Sequence, residues 1–145
     1  MSTASTCPTL LAQQCSAALH RNDHTAHSLG IDIVETLPGK AVLRMIVRKT
    51  MTNGHAICHG GMIFTLSDTA FAHACNNTNK ITVAAGCSID FIAPAYEGDV
   101  LTATAQERSR SGRTGVYDIE VHNQDGSLIA LFRGKSYQLP GSLVE

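Results

Sequence analysis

The chain has 145 residues and a formal net charge of −1, from 11 basic and 12 acidic side chains. That length suits one domain with one core, burying about two-thirds of the surface exposed by the unfolded chain. The near-balance of charge excludes the broad basic patch that nucleic acid selects. No window approaches the roughly eighteen apolar residues of a membrane span, and Met1-Ser2-Thr3-Ala4-Ser5-Thr6-Cys7-Pro8 lacks a basic stretch leading into an apolar core. A small-molecule partner and a soluble, cytoplasmic location are therefore expected. Five cysteines (Cys7, Cys15, Cys58, Cys75, Cys87) include no Cys-x-x-Cys pair, which argues against both a disulfide framework and a zinc knuckle. Most are expected to be small buried hydrophobes.

In chain order, Thr9 to Arg21 places Leu10, Leu11, Cys15, Ala18 and Leu19 at helical spacing, predicting a short amphipathic helix over about 9–21. Ile31 to Leu37 and Ala41 to Arg48 are rich in β-branched residues and flank Pro38-Gly39-Lys40, a hairpin signature. Lys49 to Cys58 is polar and reads as a loop walling a site. The stretch from His59 to Asn76 opens with two glycines and then runs without Pro or further Gly. It is apolar on nearly every side, as expected of a helix buried all round. Strands are predicted over Ile81 to Ala93, with a bulge or close approach at Gly86, and over Val100 to Arg108, Thr114 to His122 and Leu128 to Tyr137. The tail, about 138–145, is expected to be mobile. Short connections make the sheet largely antiparallel, and a long sheet of this kind can wrap the central helix in an α+β fold.

Two features of the central helix point to chemistry. Its first turn leaves N–H groups without intrahelical partners, and the helix dipole adds partial positive charge there. The Gly60 and Gly61 amides are therefore candidate donors to a polarised carbonyl. Further along stands a single carboxylate, Asp68, costly in apolar surroundings unless paired or used. The bland alternatives are a tight turn at the glycines, and an Asp68 satisfied by Ser67 or Thr69 or exposed on a polar sliver. His59 is either a flanking polar contact or a loop histidine bonded to backbone.

Asn53-Gly54-His55, Cys58-His59-Gly60-Gly61, Leu66-Ser67-Asp68-Thr69-Ala70-Phe71-Ala72, Ser88-Ile89-Asp90-Phe91, Gly98-Asp99 and Gly115-Val116-Tyr117-Asp118 together resemble the PaaI-type phenylacetate-degradation thioesterases of the hotdog-fold superfamily. The resemblance runs from about Asn22 to about Tyr137. It implies a long central helix wrapped by an antiparallel sheet, a homodimer with sites at its interface, usually paired into a homotetramer, and hydrolysis of aryl- or acyl-CoA thioesters without a metal or redox cofactor. It further implies Gly60 as the carbonyl-polarising residue, Asp68 as the catalytic carboxylate, His59 as a flanking contact and Asn22 as part of the site. Related hotdog thioesterases often carry Glu where this chain has Asp68, so nucleophile and general base both stay open for it. Phenylacetyl-CoA or a ring-hydroxylated relative is the expected substrate. A hotdog acyl-thioester hydratase or dehydratase, pairing His59 with Asp68, and a non-catalytic acyl-CoA binder are the alternatives.

Other constellations are weaker. His55 and His59 are four apart, as are His20 and His24, with His27 three further on. The adjoining glycines argue against a helical ligand pair at 55–59, and no carboxylate completes a metal set. Cys58 beside His59 lacks a third orienting group for a thiol nucleophile. Gly86-Cys87-Ser88-Ile89-Asp90 lacks the closing glycine of a nucleophile elbow, so Ser88 reads as a strand residue. Arg108, Arg110 and Arg113 surround Ser109, Ser111 and Gly112; Arg110 and Arg113 are candidates for CoA phosphates. Finally, Gly60 and Asp68 are eight residues apart, ~12 Å along one straight helix. An aspartate side chain is too short to close that distance, so a site using both needs a second, antiparallel copy.

Overall fold

The computed structural model describes residues 7–145. The reading of Met1 to Thr6 as free of a leader lies outside the described residues. Helix α1 (Pro8–Arg21) starts on Pro8, whose missing N–H costs nothing in a first turn, and ends on basic His20 and Arg21, which suit the negative end of the dipole. A short helix α2 (His24–Leu29) follows, which periodicity did not predict. Asp23 caps it, with Oδ1 accepting the Ala26 N–H at 3.0 Å, and Gly30 closes it in the left-handed conformation, φ 67°. Both signals stand in the sequence, but six residues are too few to show an apolar stripe.

The rest runs β1 (Asp32–Leu37), β2 (Lys40–Ile46), a 3-10 turn (Lys49–Met51), α3 (Gly60–Asn76), β3 (Thr82–Phe91), β4 (Val100–Ser111), β5 (Thr114–His122) and β6 (Leu128–Gln138). The six strands form one sheet in the order β1-β2-β4-β5-β6-β3, with every neighbouring pair antiparallel. The register of β3 breaks between Ala84 and Gly86, the bulge anticipated at that glycine. This is the hotdog arrangement. Among the described residues no helix is long and apolar enough to cross a membrane.

Helix α3 seats Ile63, Leu66, Ala70, Phe71 and Ala74 in a continuous core with Leu43, Met45, Leu101, Ile119 and Phe132 of the sheet. The closest approach is at Gly134 on β6, where a Cβ would stand 2.8 Å from the Phe71 ring. With no Cβ there, the ring packs against β6 and meets Tyr117 and Phe132 at centroid separations of 5.4 and 6.1 Å. Burying a side chain of this size contributes roughly 1.5–3 kcal/mol. A second stripe of α3 meets α1, where Ser16 Oγ and His73 Nδ1 are 3.0 Å apart, both residues buried. The stripe carrying Asp68 faces the β3 edge and is the least covered.

The end of α3 ties the molecule together through three asparagines. Asn76 exchanges two hydrogen bonds with the backbone of Thr82 at the start of β3. Asn77, buried, donates to the Leu37 and Lys40 carbonyls and accepts the Gly39 N–H, filling the β1–β2 turn. Asn79 Oδ1 accepts the N–H groups of Leu143 and Val144, both at 2.9 Å, and its Nδ2 donates to the Val144 carbonyl. These bonds attach the end of the segment 138–145, expected to be mobile, to the turn after α3. The tail has no periodicity of its own, and Asn79 lies 64 and 65 residues before the two residues it holds.

His73 supplies a pH-dependent term. Burial, then His20, lower its pKa from 6.5 to about 4, with Asp23 opposing. An unfolded chain takes up a proton as pH falls below 6.5, whereas the folded chain does so only near 4, so stability is lost as pH descends through that window. The contribution is on the order of 3 kcal/mol. We expect the melting temperature to fall between pH 6.5 and about 4, with a shallower fall in a folded His73→Gln variant. An identical slope in the variant would remove His73 as the source.

Candidate active site

The start of α3 is built by His59, its N-cap. The His59 N–H donates to the Met51 carbonyl at 2.7 Å, and its own carbonyl accepts from Met62 at 2.9 Å. Its Nδ1 accepts the Gly61 N–H at 3.2 Å, which puts the proton of a neutral ring on Nε2. Of the two expected carbonyl-polarising donors, Gly61 is therefore already engaged. The Gly60 N–H makes no hydrogen bond among the described residues, so one donor remains, at the positive end of the helix. His59 is backbone-bonded, exposed, and free to donate through Nε2.

Gly60 opens into a mostly apolar cavity of about 560 Å³, whose walls include Asn53, Ile57, Ile63, Phe91 and Pro94. The Phe91 ring lies directly over it, and a Cβ at position 60 would stand 2.8 Å from that ring. Close approach is what requires glycine here. Phe91 is itself 53% exposed. Cys58, on the same wall, is no nucleophile: burial and then the Asp99 charge push its thiol up to about 11.

Asp68 stands alone. The Ser67, Thr69 and Thr65 hydroxyls each donate to the carbonyl four residues back, at 2.8, 2.7 and 2.9 Å. The neighbours that would have satisfied the carboxylate are thus occupied, and it makes no hydrogen bond or ion pair among the described residues. Burial raises its pKa, and the Asp23 charge adds to the rise. It lines an apolar cavity of about 380 Å³ with Leu19, Phe71, Ile81, Val83 and Leu143 among its neighbours. Asn22 is exposed at the end of α1, its N–H on the His20 carbonyl. It sits between Leu19, which shares the Asp68 cavity, and Asp23, whose charge Asp68 senses. Sequence reasoning missed Phe91 and Leu143 as cavity walls and Asp23 as a charge acting on Asp68, because all three come to the site through contacts distant in the chain.

The arginine cluster divides. Arg108 is ion-paired at 3.1 Å to Asp118, which also holds Arg133 at 2.6 Å, beside a cavity on the outer face that also includes Ser88. Arg110 donates from Nη1 to Thr78 Oγ1 at 3.1 Å, just past the end of α3, and Arg113 is exposed in the turn between β4 and β5. Gly60 and Asp68 open into different cavities, so within one chain their groups do not converge. Among the described residues no three His, Cys, Asp or Glu side chains cluster as a metal set.

The profile of the Thioesterase superfamily matches residues 55–130, from the loop before α3 into β6. The chain belongs to this family. It is 51% identical over 132 residues to the acyl-coenzyme A thioesterase PaaI of Escherichia coli, covering 91% of this chain and 94% of the relative. The solved structure of the E. coli PaaI protein from the phenylacetic acid degradation operon superposes with a TM-score of 0.93 at 49% identity, over 94% of this chain and 99% of that one. The phenylacetic acid degradation protein PaaI of Thermus thermophilus, solved as a point mutant, gives 0.78 at 36% identity, over 81% of this chain and 100% of that one. The matched region contains both Gly60 and Asp68.

A carboxylate that acts ionised must first lose its proton, so a raised pKa moves the acid limb of kcat/KM upward. We expect that limb for thioester hydrolysis to lie above the ordinary aspartate value of 3.8, and Asp23→Asn, which keeps a capping oxygen but removes the charge, to shift it down. A limb that stays in place in a folded, active Asp23→Asn enzyme would show that the Asp23 charge does not act on the group that sets it.

Proposed function

We propose that the chain works as a single hotdog domain, in a homodimer and on to a homotetramer, as a cytoplasmic acyl-CoA thioesterase of phenylacetate degradation. Its substrate is phenylacetyl-CoA or a ring-hydroxylated relative. The observation that carries this reading is the pairing of an unused Gly60 amide with an unpartnered, half-buried Asp68 on one helix of a thioesterase-family chain. The PaaI likeness supports CoA as the thiol half of the substrate, and five free cysteines with no disulfide agree with a reducing compartment.

In this mechanism the Gly60 N–H holds the thioester oxygen as negative charge builds on it. Asp68 delivers the attack on the carbonyl carbon, directly or through a water whose proton it takes. The C–S bond breaks, the CoA sulfur receives a proton, and water supplies the oxygen of the free acid. One well-aimed donor of this kind is worth roughly 3–4 kcal/mol. Arg110, bonded to Thr78 just past the end of α3, and Arg113, exposed in the β4–β5 turn, are assigned to the CoA phosphates.

The dimer follows from the same geometry. Strand β3 is an edge of ten residues, most of them exposed, with Val83 at 42% and Phe91 at 53%. An uncovered edge of that length invites a second strand. Antiparallel β3 pairing brings a second α3 alongside the first in the opposite direction, so that Asp68 of each copy meets Gly60 of the other. Two-fold symmetry then makes two sites.

Replacing Asp68 by Asn should preserve folding and lower kcat for CoA-thioester hydrolysis at least ~100-fold; near-normal turnover would sink the assignment. Mixing inactive Asp68→Asn and Gly60→Pro chains, each shown to fold, tests the shared site. Their heterodimer has one site with both defects and one with neither, so about half the wild-type activity per dimer should return. Verified heterodimers that stay inactive, or a fully active monomer, would rule it out.

A further inference from the structure

The six-stranded sheet is complete at Gln138, yet the chain does not leave the molecule there. Leu139 donates its N–H to the Ile81 carbonyl at 2.7 Å, and Ile81 donates back to the Gly141 carbonyl at 3.3 Å. The three hydrogen bonds of Asn79 then hold Leu143 and Val144 against the end of α3. Asn79 takes φ +65°, a left-handed conformation that asparagine tolerates better than most residues, and this turns the chain out of α3 toward β3. The product of this latch is the placement of one side chain. Leu143 lines the cavity that contains Asp68, facing walls contributed by Leu19 of α1 and Ile81 and Val83 of the β3 segment.

We infer that the latched tail is a specificity element, with Leu143 as the wall that limits how large an acyl group can sit beside Asp68. This rests on the thioesterase reading of Asp68. Apart from Asp68, Asn76 and Thr82 the walls are apolar, which suits the hydrocarbon or aryl end of a thioester and not the charged nucleotide of CoA. At about 380 Å³ the space is at the small end of ligand pockets, so one branched side chain on its wall has leverage over what fits. Leu143 contributes no polar atom to the reaction. Its effect is on which substrate reaches the transition state.

The experiment measures kcat/KM for phenylacetyl-CoA and for the bulkier naphthylacetyl-CoA. The proteins compared are the parent and the Leu143→Ala, Leu143→Trp and Asn79→Gly variants. Removing the Leu143 wall should raise the naphthylacetyl-to-phenylacetyl ratio roughly tenfold or more, and enlarging it should lower the ratio. Asn79→Gly keeps the left-handed backbone accessible but deletes the latch, so it should shift the ratio in the direction of Leu143→Ala and speed amide exchange at Leu143 and Val144. A ratio that stays at the parent value in both folded Leu143 variants would overturn the inference. An Asp68→Asn control in the same panel separates the two readings: its loss of activity beside a flat ratio sinks the tail assignment alone, and its retention of activity sinks both.

Discussion

An apolar helix with one carboxylate in it must be buried on more sides than a single sheet can cover, and that constraint organises this molecule. The sheet takes the stripe of α3 that carries Leu66, Ala70 and Phe71, using the absence of a side chain at Gly134 to bring the ring down onto the strands. Helix α1 takes a second stripe through Ser16 and His73. What remains is the stripe bearing Asp68, beside an uncovered β3 edge. Burial of the first two stripes stabilises the fold by the ordinary hydrophobic term, and that stability is what lets the third stay open and hold a destabilising charge.

The two groups at the centre of the proposed chemistry are opposite in kind. At Gly60 the helix presents a donor with no acceptor, in a region of partial positive charge. At Asp68 it presents an acceptor with no donor, in surroundings that raise the cost of ionisation. Neither makes sense as a stabilising feature, since a cap and a hydrogen-bonded polar residue were available by simple substitution. The structure goes further and diverts the local alternatives: His59 Nδ1 takes the Gly61 amide, and Ser67 and Thr69 spend their hydroxyls on backbone carbonyls. Both groups are thereby left without a protein partner among the described residues, as the proposed chemistry requires of them.

The three asparagines past α3 do a different job. Asn76, Asn77 and Asn79 each carry both a donor and an acceptor, and each clamps a separate segment: the start of β3, the β1–β2 turn and the tail. Because the clamps radiate from one helix end, the position of α3 is transmitted to both edge strands of the sheet. Legibility in the sequence was uneven for the same reason. Strands and the two long helices announced themselves by periodicity, and Gly60 and Asp68 by being anomalies within a regular stretch. Helix α2 is too short for a period, the tail has none, and the engagement of Gly61 depends on a side-chain rotamer of His59 that no spacing reports.

What the amino-acid sequence by itself determined, then, was everything set by neighbours along the chain. That includes the element boundaries to within a few residues, the buried character of α3, the bulge at Gly86 and the identity of the family through its motif residues. Tertiary structure alone decided which of two adjacent amides is free, that Asp68 has no partner among the described residues, that Asp23 lies close enough to raise its pKa, and that Phe91 and Leu143 wall the two cavities. The division has a physical cause. Propensity and hydrophobic period act over a few residues, whereas the charge state of a carboxylate and the shape of a cavity depend on atoms brought within a few ångströms by strands and tails scores of residues away.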